Sequence, residues 1–222
     1  MGSFIKKITA QVWQFFPNIF RTKVDIIRRS FLWRKHKTIF IHVPKAAGVS
    51  VNLAVYGKPL GHFYAKDIKA ICPNTFNNVY KFSVVRHPID RLYSAYTFSQ
   101  KGGTQVMRMH KPSYYINHSD FKTFDRFVRN WLTRKELNRI DHVFRPQYLY
   151  LFDDRENLLV DKFYKLEEIE NHYHEISQKI GKPFSLGNHN TSEKEPLSIS
   201  EDLKDLIFKL YQKDFELLGY SR

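Results

Sequence analysis

Two short segments of this chain combine cations, hydroxyls and turn residues in a way that could hold anions. The first is residues 39–50, I-F-I-H-V-P-K-A-A-G-V-S, and the second is residues 82–98, F-S-V-V-R-H-P-I-D-R-L-Y-S-A-Y-T-F. Each opens on an apolar, strand-like run and closes in a polar turn before a helical pattern. Each sets a cation (Lys45, Arg86) and a hydroxyl (Ser50, Ser94) around that turn. In a parallel α/β sheet, strand ends and helix starts share one edge, and anions bind there. Two such turns side by side would serve a ligand with two separate anionic groups.

The turns differ in how they would do this. In the first, Ala46, Ala47, Gly48, Val49 and Ser50 would offer backbone N–H groups at a helix start, where those donors have no intrahelical partner. The small residues let the backbone come close. Lys45 adds a mobile point charge suited to an oxygen whose charge grows during group transfer. In the second, Val84 and Val85 end a buried strand, and Pro88 fits the first helical position, where its missing N–H costs nothing. Arg86 at the strand end can clamp a phosphate through two parallel bonds. Arg91 has two readings, a phosphate clamp or a partner within the fold, and the second is preferred.

The elements around the turns follow from pattern and punctuation. A strand precedes each turn and a helix follows it. A short helix is predicted at 66–71, helices at 121–133 and 167–180, and a strand at 161–166. Gly102–Gly103 ends the helix of the second turn. Residues 101–120 read as a long polar and aromatic loop, a common place for substrate contacts. Ser198 with Glu201 reads as a capping box. Leu203, Leu206, Ile207, Leu210 and Tyr211 form one apolar helical stripe. The fold expected is a single α/β domain with a central, mainly parallel sheet flanked by helices. It spans 38–222, with a basic, aromatic helical segment at 1–37.

The two segments resemble the cofactor signatures of sulfotransferases that use 3′-phosphoadenosine 5′-phosphosulfate (PAPS). The resemblance is to the carbohydrate sulfotransferases, heparan sulfate 2-O-sulfotransferase-like enzymes and their bacterial relatives. Pro44, Lys45, Ala47, Gly48 and Ser50 match the first signature, while Ala46 and Val49 stand where the family usually has Thr. Val85, Arg86, Pro88, Arg91, Leu92, Ser94 and Tyr96 match the second. Gly61–His62, the F-R-P-Q-Y-L-Y-L run at 144–151, Asn190–Ser192 and Y-Q-K-D-F-E-L-L-G-Y at 211–220 extend the likeness over about residues 38–220. The resemblance implies a P-loop-like first turn that takes the 5′-phosphosulfate and a second turn that takes the 3′-phosphate. It also implies PAPS as co-substrate, no metal, and a carbohydrate or glycoconjugate acceptor.

Such a transfer needs a base for the acceptor hydroxyl. Histidine titrates near neutral pH. Among the ten histidines, His62 aligns with the base of the 2-O-sulfotransferase-like branch, and Lys45 suits the leaving-group role. His142 is the reserve candidate. His42 reads as structural, and His172 with His174 as solvated residues lacking a third metal ligand.

Composition leaves other classes open. The formal net charge is +14, and residues 1–38 hold nine Lys/Arg against Asp25 alone. Such a surface draws any anionic partner. A non-catalytic basic nucleotide- or nucleic-acid-binding protein and a P-loop-like kinase are the competing readings. No Walker G-x-x-x-x-G-K-[ST] and no standard nucleic-acid-binding signature occurs, and no nucleic acid partner is expected. No apolar run reaches membrane-span length and no signal peptide is evident. With a lone Cys72, the expectation is a cytoplasmic protein. Residues 4–33 interleave aromatics with cations. They read either as a peripheral membrane or partner-docking segment or as a helix packed on the domain. Val24, Ile27 and Phe31 fall at core-helix spacing and favour packing.

Overall fold

The computed structural model describes residues 18–104, 109–187 and 198–222. Residues 1–17 of the basic, aromatic segment and the Asn190–Ser192 stretch lie outside those residues.

Three parallel strands form the sheet: β1 (Thr38–Ile41), β2 (Tyr80–Val85) and β3 (Lys162–Lys165), in the order β1-β2-β3. Ile41 lies beside Ser83, and Val85 beside Lys165. All four β1 residues and the last four of β2 are buried. Burial on both faces is the pattern of a parallel sheet covered by helices.

Helix α1 (Asn18–Lys35) enters β1. Helix α2 (Gly48–Tyr56) follows the first turn, α3 (Ala65–Ile71) lies beyond the 57–64 loop, and α4 (Pro88–Gln100) follows the second turn with Pro88 at its start. After β3 come α5 (Tyr173–Ile180), α6 (Glu201–Leu210) and α7 (Gln212–Leu218). β1 is an edge strand, whose outward backbone groups need partners. Tyr56, at the end of α2, supplies them: its hydroxyl accepts from Phe40 N–H (2.8 Å) and donates to the Thr38 carbonyl (3.0 Å). The first turn is thereby pinned at both ends.

The core has two parts. One surrounds the sheet and includes Ile39, Ile41, Val51, Phe82, Val84 and Tyr164. The other is strongly aromatic and packs α4 against 121–144 and the C-terminal helices, through Tyr96, Phe121, Phe127, Trp131, Phe144, Tyr211 and Phe215.

Several expectations are corrected. The helix expected at 121–133 is broken into a 3₁₀ turn at 119–122, one α turn, a π-helical turn at Phe127–Trp131 and a final 3₁₀ turn. Packing of Phe121, Phe127 and Trp131 on Phe144 overrides the regular helix there. Residues 166–172 are 3₁₀, and the α-helix begins only at Tyr173. The N-cap of α6 is Ser200 rather than Ser198. Glu201 pairs with Lys204 instead of closing a capping box. Helix α1 packs on the domain through Ile26, Ser30 and Trp33, while Ile27 and Phe31, expected in the core, are exposed.

Candidate active site

The two turns emerge from neighbouring strands at one edge of the sheet. Lys45 stands four residues past Ile41, and Arg86 three past its partner Ser83. The Lys45 ammonium lies 4.1 Å from the centre of the Phe98 ring, which belongs to the helix of the second turn. The two turns therefore leave neighbouring strands at the same sheet edge.

The first turn has a coiled backbone. Lys45 (φ 68°) and Ala47 (φ 57°) both occupy the left-handed region, which non-glycine residues rarely enter and which clusters at functional sites. Ala46, between them, is buried in the core. The first intrahelical bond of α2 is Val51 N–H to the Ala47 carbonyl (3.1 Å), so Gly48 and Val49 N–H groups precede the helical ladder. Val49 and Ser50 are half-buried.

Gly48 has a role the sequence did not disclose. A Cβ there would sit 1.8 Å from His42 Cδ2. The missing side chain makes room for the His42 ring as well as for a close backbone approach. Asn52 holds that ring from the other side: its Nδ2 donates to the Gly48 carbonyl (2.8 Å) and lies 3.2 Å from His42 Nδ1.

His42 in turn organises His62. The His42 carbonyl accepts from His62 Nδ1 (3.1 Å). The tautomer this selects carries the His62 proton on Nδ1 and leaves Nε2 as an acceptor. Ring centres of His42 and His62 are 4.0 Å apart, and those of His62 and His142 are 4.7 Å apart. His142 ends the row with its Nδ1 3.2 Å from Asp141 Oδ1. His42, read as structural, and His142, read as the reserve, thus flank the proposed base.

Burial favours the neutral form of His62 and His42. Burial, then the adjacent His142, lowers the His62 pKa to about 4, against the raising effects of the His42 carbonyl and Asp141. Burial lowers His42 as well, helped by its two histidine neighbours. Burial would raise the Asp141 carboxyl, but the hydrogen bond and charge of His142, with the Val143 N–H, hold it below the usual carboxylate range.

Residues 86–88 of the second turn leave no backbone N–H open to an anion. Arg86 N–H donates to Gln147 Oε1 (3.0 Å), His87 N–H donates to Glu167 Oε1 (2.7 Å), and Pro88 has no N–H. Arg86 follows the end of β2 directly, and Ser94 lies two turns into α4. Ser94 is half-buried, and its carbonyl accepts from Thr97 Oγ1 (3.2 Å).

Arg86 is fixed by residues the sequence left without roles. Gln147, fully buried, also donates through Nε2 to the Arg86 carbonyl (2.7 Å), so its amide brackets the whole residue. Gln147 is held by Asp214, whose carboxylate accepts from the N–H groups of Gln147 and Tyr148 (both 2.9 Å). Tyr211 donates to the Phe144 carbonyl (2.7 Å). Neither Gln147 nor Asp214 stood out in sequence, since Asp214 lies among Gln212, Lys213 and Glu216, and Gln147 lies two residues after Arg145. Arg91 takes its preferred structural role. It is buried and donates to the Val143 (3.1 Å) and Arg145 (2.8 Å) carbonyls.

Among the described residues, no group of three His, Cys, Asp or Glu could hold a metal ion, and no helix is long and apolar enough to cross a membrane. No curated protein and no solved structure matches the chain. The family model described as "Sulfotransferase family" matches residues 28–221, which include both turns, His62, Gln147 and Asp214. The chain belongs to the sulfotransferase family.

Proposed function

We propose that the protein moves a sulfuryl group from PAPS to a carbohydrate hydroxyl, with His62 as base. The observation that carries this reading is that His62 is tied through His42 to the first turn, while the second turn leaves the neighbouring strand at the same sheet edge. The first turn would take the 5′-phosphosulfate on the N–H groups of 46–50 and on Lys45. The second would take the 3′-phosphate on Arg86 and Ser94.

In the transfer, a bond forms between the acceptor oxygen and sulfur as the bond from sulfur to the 5′-phosphate oxygen breaks. His62 Nε2 receives the acceptor's proton. Lys45 stabilises the charge that develops on the departing phosphate. Positioning and electrostatics dominate such a displacement, as in phosphoryl transfer. With a pKa near 4 in the free protein, His62 is unprotonated at neutral pH. A bound anion beside it favours the imidazolium and makes it a stronger base at the moment of transfer. The acceptor would approach from the side of His142 and the 110–118 segment. The carbohydrate preference rests on the resemblance of the motifs to their branch.

The test is transfer of labelled sulfate from PAPS to a panel of glycans and glycolipids, by wild type and His62→Ala. Labelled product from wild type alone supports the reading. Uptake of the donor with no transfer to any acceptor would favour a nucleotide-binding protein without catalysis.

A further inference from the structure

Helix α1 carries two apolar faces; one packs on the described domain and the other is largely exposed. Ile26, Ser30 and Trp33 are buried. Arg29, on that side, pairs with Asp25 (2.9 Å) and donates to the Leu60 carbonyl (2.8 Å). Trp33 meets the Phe63 ring edge-on at 6.1 Å. This face supports the loop that carries His62.

The second face is turned outward. Phe20, Ile27 and Phe31 are 45%, 57% and 64% exposed, and Val24 falls between them. The spacing 20, 24, 27, 31 is a helical ridge. At about 100° per residue, exposed Lys23 and Arg34 lie along one flank of the ridge and exposed Arg28 and Lys35 along the other. Asp25 is the only acid in the helix, and it lies off this face, paired with Arg29.

We propose that α1 docks this ridge on an anionic lipid surface, lying flat. The apolar side chains would enter the boundary between headgroups and acyl chains. The long cationic side chains on both flanks would reach back to the lipid phosphates. Charge complementarity selects this occupant. A second copy of the chain would set like-charged rows against each other, and a purely apolar groove would leave four cations without counter-charges. The helix, about 27 Å long, presents enough surface for interfacial binding without crossing the bilayer.

The experiment is sedimentation of the full chain with vesicles of phosphatidylcholine alone and of phosphatidylcholine mixed with phosphatidylglycerol. The expected result is binding to the mixed vesicles only, weakened by salt. Ile27→Glu, Phe31→Glu and the double variant Arg28→Glu/Lys35→Glu should each reduce it by about tenfold or more. These positions are exposed, so thermal melting should stay unchanged and show that the variants fold. Three results would overturn the proposal: no vesicle binding by wild type, equal binding by wild type and the ridge variants, or a wild-type dimer that Phe31→Glu dissolves. The measurement needs no turnover, so it stands apart from the sulfuryl-transfer reading.

Discussion

His62 Nδ1 donates to the carbonyl oxygen of His42 at 3.1 Å, and this bond decides which nitrogen of the ring is left for chemistry. His42 is itself held against Gly48 and Asn52 in the first turn. The turn that would bind the sulfuryl donor and the residue that would take the acceptor's proton are therefore one mechanical unit.

Replacing His62 should separate chemistry from donor binding. We expect His62→Ala to lower kcat by about 10²–10⁴-fold, the usual range for a general base. Affinity for 3′-phosphoadenosine 5′-phosphate should change little. Wild-type turnover in the variant would remove His62 from the base role.

Gly48→Ala should harm both functions. The added methyl would overlap the His42 ring, and overpacking of this kind costs roughly 1–3 kcal/mol. The expected outcome is a lowered melting temperature, with kcat falling further than the stability loss explains, because His62 loses its anchor. A crystal structure of the variant with His42 and His62 undisturbed, or full activity, would contradict this.

Gln147→Leu tests the support of Arg86. The change leaves the N–H and carbonyl of Arg86 without partners, at a cost of about 1–3 kcal/mol for each buried group. We predict weaker donor binding with a rise in KM larger than the fall in kcat, checked by steady-state kinetics. Loss of stability with unchanged KM would mean that Gln147 serves the core alone.

Acid should weaken the fold through the histidine row. The folded-state pKa of His62 is lowered to about 4 and that of His42 is lowered too, whereas unfolded histidine titrates near 6.5. Between those values the unfolded chain binds more protons, so stability rises with pH and falls as pH drops below about 6.5. Melting temperatures measured from pH 7.5 to pH 4.5 should decline, less steeply in His62→Gln. Identical slopes would show that His62 does not contribute.

Much of the catalytic edge was legible because its signals are local. Val84–Val85, then Pro88, mark a strand end and a helix start in consecutive residues, and both formed as read. The turn at 44–48 was likewise marked by Pro, small residues and Gly. The histidine row was not legible, since His42, His62 and His142 come from distant stretches and meet only through the fold. The Gln147–Arg86 bracket has the same origin. Helix α1 misled for another reason. Its sequence fits two apolar faces, one through 26, 30 and 33 and one through 24, 27 and 31, and periodicity alone could not say which would face the sheet.

The claim on which the account rests is that the Lys45 and Arg86 corners hold the two ends of one adenosine donor. Calorimetric titration with 3′-phosphoadenosine 5′-phosphate and with adenosine 5′-phosphate, on wild type and Arg86→Ala, tests it most directly. The account predicts that wild type prefers the doubly phosphorylated ligand by about tenfold or more, the worth of hydrogen bonds to a charged group, and that Arg86→Ala erases the preference. Equal affinity of wild type for the two nucleotides, or a preference that survives Arg86→Ala, would contradict it.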